Sequence, residues 1–280
     1  MNYQEAYRKA SLILKEQNIE DAANDAWLLL EFVTGMTRTR FYVDGFSAMD
    51  SDKEKLYFSY VEKRAKRIPL QHITGVQEFM GMEFLVNEHV LVPRQDTEIL
   101  VEEVEKILST EDKVLDMCTG SGCIAISLKV RNPKITCTAV DISKEALSMA
   151  RKNAEKLKAD IAFVESDMFE NILDKYDVIV SNPPYIPTKV IEELEEEVKL
   201  HDPFGALDGK EDGLFFYRIL AEKSPLYLKK GGKIYMEIGH DQSEDVEALL
   251  REQGFEQIST KKDLAGLDRV VFGVYNSNVE

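Results

Sequence analysis

The sequence predicts an α/β protein, with a mostly parallel sheet covered on both faces, one antiparallel strand at its C-terminal end, and a small helical bundle in front. Three observations predict it. Apolar residues recur at helical spacing over residues 1 to about 68. From Lys113 onward, short apolar strands alternate with helices. At the end, residues 255–260 and 269–275 read as two strands with no helix between them.

In the first part, the helical stripe runs through Ala6, Ala10, Ile13 and Leu14, then through Trp27, Leu30 and Val33. Gly35 and Gly45 punctuate it. Residues 56–65 form a further helix that Pro69 stops, because proline has no amide to donate. Residues 79–91 alternate as extended chain and are expected to form a hinge or hairpin. A helix over 99–108 follows, with Asp96 or Thr97 as its cap. Then come a strand over Lys113–Met117, a helix over 122–130, a strand over 135–140, and a helix over 143–157 capped by Ser143. Strands over Ile161–Glu165 and 176–180, a helix over 213–228, a strand over 233–238 and a helix over 241–253 complete the alternation. The expected domains are 1–78, a linker over 79–92, and 93–280.

Composition narrows the function classes. The 280 residues are 44% hydrophobic and 31% charged, ordinary for a globular chain. No apolar run approaches the length of a membrane span. The polar start, residues 1–8, lacks the apolar core of a secretion signal. Cys118, Cys123 and Cys137 have neither an even count nor a metal spacing, so reduced thiols in a cytoplasm are expected. His72, His89, His201 and His240 are too scattered for a metal site, and no metal is expected. The net charge is −16, and residues 1–85, with 11 basic and 13 acidic residues, carry only −2 of it. The other −14 leans against a polynucleotide substrate, since phosphate affinity comes from Lys and Arg. Only Lys63–Arg64 and Lys66–Arg67 form a basic cluster. The acidic run at 192–197 reads as a solvated helix face.

Two motifs carry chemistry. The first is a buried strand entering a glycine turn, Asp116, Met117, Cys118, Thr119, Gly120, Ser121 and Gly122, which opens a helix. Glycines there let a ligand approach the backbone and the helix amides. A second strand ends about 20 residues on in Asp141, placed to accept hydrogen bonds from both hydroxyls of a ribose. Alone, this describes an adenosine-like ligand and leaves a nicotinamide reading open. The second motif is Asn182-Pro183-Pro184-Tyr185, at the carboxyl end of a short apolar strand. Two prolines fix the backbone and can hold the Asn182 side-chain oxygen and the Pro183 carbonyl as preset acceptors. Two acceptors suit an NH2 group whose lone pair is delocalised, as in an amide or a base amine. Hydrogen bonds from both its N–H groups return electron density to nitrogen and aim it at a methyl group, and alignment supplies the remaining catalysis.

On these residues the chain resembles class I methyltransferases acting on amide or exocyclic nitrogen, with their Rossmann-like sheet. It resembles more closely the release factor glutamine methyltransferases. The match spans nearly all 280 residues. It includes the segments at 69–75, 92–98 and 201–207, and Glu237-Ile238-Gly239 with Gln242. The resemblance implies S-adenosylmethionine as cofactor and, as substrate, the glutamine of the Gly-Gly-Gln motif in peptide chain release factors. It implies that Cys118, Thr119, Gly120, Ser121 and Gly122, with Asp116 before them, wrap the methionine portion. Asp141 would bind the ribose, and Asp167 and Met168 would border the adenine. Asn182 would touch the cofactor and, with Pro183, accept the two hydrogens of the glutamine amide, flanked by Pro184 with Tyr185 packing on it. Cys118 stands where the family usually has glycine, and Met168 where an aromatic is common, keeping an apolar wall. The helical domain is expected to recognise the release factor.

Arg94 is a candidate guide for the acceptor, although a helix lead-in explains its segment nearly as well. Trp27 and the methionines read as core, and Cys123 and Cys137 as small buried hydrophobes. The alternative within the same chemistry is methylation of adenine or guanine amines in nucleic acid. A nicotinamide oxidoreductase leaves residues 182–185 unexplained, and a non-catalytic binding module leaves the acceptor pair idle.

Overall fold

The computed structural model describes residues 1–276. These divide into two compact units, Met1–Val76 with Glu195–His201, and Gln77–Leu194 with the chain from Asp202 onward.

The first unit begins with α1 (Tyr3–Glu16), closed by a capping box: Glu5 N donates to Asn2 Oδ1 and Asn2 N donates to Glu5 Oε2. There follow α2 (Ala22–Thr34), α3 (Arg38–Asp44), α4 (Ser51–Ala65) and α5 (Leu70–Thr74). Ala6, Ala10 and Ala26 let α1, α2 and α4 approach closely around Leu14, Trp27, Leu30 and Val61. Tyr57 is buried among them and donates to Ala26 O at 2.8 Å, so its hydroxyl is satisfied. Helix α4 starts five residues earlier than the periodicity predicts, because Asp50 accepts from Asp52 N and Lys53 N and so caps a first turn of polar residues.

The acidic run is mostly exposed, as expected, but two of its residues also form ion pairs. Residues Glu196–His201 form a short helix of the first unit, numbered α10 below. Arg64 Nε meets Asp25 at 2.6 Å and its Nη2 meets Glu197 at 2.8 Å, while Arg67 reaches Glu196 at 2.8 Å. Arg64 is buried, and burial alone would disfavour its charge, so it needs both carboxylates. Two acids of the run are therefore paired with the basic cluster.

After α5 comes a hairpin, β1 (Val76–Phe79) and β2 (Met82–Leu85), all of it but Val76 in the second unit. Met80 and Gly81, both at positive φ, make its two-residue turn. Helix α6 (Gln95–Glu105) begins with Arg94 as its cap residue. Asp96 and Thr97 are thus in the first turn and do not cap it. The remaining order is β3 (Lys113–Met117), α7 (Cys123–Arg131), β4 (Thr136–Asp141), α8 (Lys144–Leu157), β5 (Ile161–Glu165), β6 (Tyr176–Ser181) and α9 (Thr188–Ile191). After α10 come α11 (Phe204–Leu207), α12 (Phe215–Tyr227), β7 (Leu228–Glu237), α13 (Ser243–Glu252), β8 (Phe255–Lys262) and β9 (Asp268–Tyr275).

Seven strands lie in the order β5-β4-β3-β6-β7-β9-β8. Neighbours from β5 to β7 pair parallel, and β9 runs antiparallel between β7 and β8. The single antiparallel strand is therefore inserted second from the edge. Alternate strand residues enter two cores, as a sheet buried on both faces requires. Val114, Val178 and Val180 pack with α6 and α7, while Leu115, Ile179 and Ile234 pack with α12 and α13. Cys123 and Cys137 are buried, and burial pushes both thiols up to about 12. We expect both to escape iodoacetamide at neutral pH while the denatured chain is alkylated fully, since the thiolate is the nucleophile. Alkylation at either site in the native protein, read by peptide mass, would contradict their burial. No helix among the described residues is long and apolar enough to cross a membrane.

Candidate active site

Strand register assembles the site. Met117 stands opposite Val140 on one side of β3 and opposite Ser181 on the other. The next residues, Cys118, Asp141 and Asn182, therefore leave the sheet as neighbours at its carboxyl edge. Strand order reverses about β3, and open α/β sheets bind ligands at such a point.

The turn after β3 is tight. Cys118, Gly120 and Gly122 all have positive φ, at 63°, 54° and 80°. For Cys118 this backbone is strained, because Cβ crowds the following carbonyl. Two contacts over-determine it: Thr119 N donates to Val140 O at 2.9 Å, and Gly120 N donates to Asp141 Oδ2 at 2.9 Å. The Cys118 and Met168 sulfurs are 4.0 Å apart, and Met168 itself has positive φ. Asp141 Oδ1 accepts from Ser143 N, so each carboxylate oxygen has one backbone donor and spare lone pairs. Burial raises the Asp141 carboxyl above its usual range, opposed by the amides of Ser143 and Gly120. A Cβ added at Gly120 would meet nothing within 4 Å, so the turn faces open space.

The loop after β6 is clamped along its backbone. Ser181 donates to Met117 O at 2.7 Å, tying the two turns together. Gln242 Nε2 donates to Tyr185 O at 3.0 Å, and Ile186 N donates to Leu207 O at 3.0 Å. Gly209 and Gly213 press on the same segment: a Cβ at either would fall 2.8 and 2.3 Å from Tyr185 backbone atoms. Asn182 Nδ2 donates to Thr97 Oγ1 at 3.2 Å. With the nitrogen so engaged, Oδ1 is the atom free to accept from a ligand. Arg94 donates to Asp202 at 2.7 Å beside this loop.

These turns surround a cavity of about 650 Å³, within the range of small-molecule sites. The family described as "Methyltransferase small domain" matches residues 94–197, and "PrmC N-terminal domain" matches residues 5–75. A release factor glutamine methyltransferase of Caulobacter vibrioides is 41% identical over 97% of this chain and 96% of its own. One of Geobacter sulfurreducens is 40% identical over 93% and 92%. The chain belongs to the release factor glutamine methyltransferase family. A solved methyltransferase from Pyrococcus furiosus shares the fold at 16% identity, with a TM-score of 0.57 over 77% of this chain and 100% of that one.

The methyl donor of this methyltransferase is S-adenosylmethionine. Residues of the cavity fit it: the open turn at Gly120, the Asp141 carboxylate with unused lone pairs, and the apolar Met168 wall. Of the residues expected in the site, Cys118, Thr119, Gly120, Ser121, Asp141, Asp167, Met168, Asn182 and Pro184 line the cavity. Asp116, Gly122, Pro183 and Tyr185 are not among its lining residues.

Each of those four has a structural reason. Asp116 is fully buried behind the turn, where Oδ2 accepts from Thr119 Oγ1 at 2.5 Å and from Ala125 N at 3.2 Å. Burial pushes its carboxyl up to about 7, and its two hydrogen bonds brace the loop. Gly122 is required by packing, since a Cβ there would lie 2.8 Å from Ile126 and 3.1 Å from Ala150. Pro183 is buried. Tyr185 packs against the core of the α12 and α13 face, and burial pushes its hydroxyl up to about 12. Sequence reasoning passed over the roles of Thr97, Gly209, Gly213 and Gln242. The segments holding Thr97 and Gln242 carried a signal, through the family resemblance. Among the described residues, no cluster of His, Cys, Asp or Glu is arranged to hold a metal ion.

Proposed function

We propose that this methyltransferase transfers a methyl group to the side-chain amide nitrogen of the glutamine in the Gly-Gly-Gln motif of peptide chain release factors. The observation that carries it is the Asn182 carboxamide, with its nitrogen given to Thr97 and its oxygen left to accept beside the Asp141 turn. S-adenosylmethionine supplies the electrophilic methyl; the chain's own residues position the acceptor. The Asn182 Oδ1 and the Pro183 carbonyl accept from the two amide hydrogens and return electron density to the nitrogen. Pro184 and the residues of α11 bound the acceptor's approach. No base is needed first, because the alkylated amide nitrogen is acidic and releases its proton afterwards. Alignment and a preorganised polar wall account for the remaining acceleration.

We assign 93–280 to catalysis, 1–78 to recognition of the factor, and 79–92 to joining them, in a cytoplasmic protein. The net charge of −16 suits a protein partner with the basic regions that ribosome binding demands. Tight nucleic-acid binding is not expected. The pairing of Arg64 and Arg67 with carboxylates removes much of the one basic cluster that could have served it. Incubation with labelled S-adenosylmethionine and recombinant release factor tests the assignment. Label is expected on the intact factor and absent when its Gly-Gly-Gln glutamine is replaced. Label retained by the replaced factor, or carried by RNA or DNA instead, would overturn it.

A further inference from the structure

We infer that Glu237 and Thr97 are positioning residues that lock the Asn182 carboxamide with its oxygen toward the acceptor. This rests on the proposed role of Asn182. Register is the first observation. Ser181 stands opposite Met236, so Asn182 and Glu237 are the next residues on adjacent parallel strands. Thr97, on the first turn of α6, completes the group and accepts from Asn182 Nδ2 at 3.2 Å. Thr97 and Asn182 are the side-chain donors that favour the ionised form of the Glu237 carboxyl. Tyr217 fixes the same residue from behind by donating to Glu237 O at 2.8 Å.

The chemistry of the donors decides the orientation. An ionised carboxylate only accepts, so it takes the Thr97 hydroxyl hydrogen and one Asn182 amide hydrogen. The Thr97 oxygen then takes the other. An amide whose two hydrogens are both taken presents its oxygen and cannot usefully rotate. Without the carboxylate, Thr97 can donate to Asn182 Oδ1, which would turn NH2 toward an acceptor that itself needs an oxygen.

Burial makes this expensive, and the expense argues for a purpose. Thr97 and Glu237 are each only 2% exposed. Glu237 Oε2 has no hydrogen-bond partner among the described residues. A leucine there would avoid the desolvation of a carboxyl altogether. Arg269 is the nearby cation, but its Nη2 is committed to Asp96 at 3.2 Å and Asp263 at 3.0 Å. The ionisable groups facing Glu237 are Arg269 from β9, Asp96 from α6, Tyr185 from the loop after β6, Tyr217 from α12 and Cys123 from α7. Burial outweighs the help of Thr97 and Arg269 and pushes the carboxyl up to about 7. The lock therefore forms as pH rises through about 7 and loosens below it, when a protonated carboxyl becomes a donor.

Steady-state methylation with Glu237→Gln, Thr97→Val and Thr97→Ser, on both sides of pH 7, tests the lock. Glu237→Gln and Thr97→Val are expected to lower kcat roughly tenfold, about one net hydrogen bond, with cofactor Kd unchanged. Thr97→Ser keeps the hydroxyl and should retain activity. Wild-type kcat should rise with pH through about 7, and Glu237→Gln should lose that inflection. Wild-type kcat with an unchanged pH profile in Glu237→Gln would overturn the inference. So would equal losses in all three variants accompanied by weaker cofactor binding and a lower Tm, which mark a packing role. A wild-type enzyme inactive on any glutamine amide would instead remove the proposed acceptor, and the lock with it.

Discussion

Replacement of Asn182 by alanine is expected to lower kcat by roughly 10²–10³-fold, the scale seen when one preorganised polar contact to a reacting centre is removed. The cofactor dissociation constant should barely change. Asn182 Oδ1 is free to face the acceptor nitrogen, its Nδ2 being held by Thr97. The cofactor turn is held separately, by Val140 and by Asp141 at Gly120. Single-turnover kinetics alongside calorimetry separates the two effects. Retained turnover would sink the acceptor role. Equal losses of turnover and cofactor affinity would move Asn182 to cofactor binding alone.

Asp141→Ala should act on the other half of the site. Cofactor affinity is expected to fall by about 1.5–3 kcal/mol, the value of hydrogen bonds to a charged group, or roughly 10–100-fold. Each Asp141 oxygen already accepts one backbone amide, from Gly120 or Ser143. The carboxylate is thus oriented before a ribose arrives, and its loss also frees the Gly120 turn. Asp141→Asn keeps one side-chain oxygen and should lose less. Because burial raises this carboxyl above its usual range, affinity should weaken as pH falls through that raised value, when the ionised acceptor is lost. An unchanged dissociation constant for Asp141→Ala by calorimetry would show that the ribose lies elsewhere.

Much of this architecture is legible in the sequence because buried parallel strands are short apolar runs with sharp ends. Lys113–Met117 and Ile161–Glu165 agree with the observed strands residue for residue. Ser143 reads as a cap and is one, accepting from Ala146 N. Thr97 shows the limit of that logic. Its type suits a cap, yet it lies in the first helical turn and serves a residue 85 positions away. No local pattern announces such a partner. The ion pairs of Glu196 and Glu197 are hidden for the same reason, since their arginines lie far back in the chain.

The candidate site was legible where backbone shape defines it and less so where burial does. Gly120, Asp141 and Asn182 sit at strand ends, which a strand–turn pattern reveals. Asp116 has the same motif membership, but one residue of a strand points away from the next, and this one points into the core. The Tyr185 backbone is held by Gln242 and closely approached by Gly209 and Gly213, all later in the chain. Those contacts depend on the fold closing around the loop.

Peptide mass mapping of a recombinant release factor, after incubation with the purified enzyme and S-adenosylmethionine, tests the central claim most directly. The account predicts a gain of one methyl group on the Gly-Gly-Gln peptide, fragment ions placing it on the glutamine side chain, and no gain with Asn182→Ala. An unmodified Gly-Gly-Gln peptide from an enzyme that binds the cofactor would contradict it.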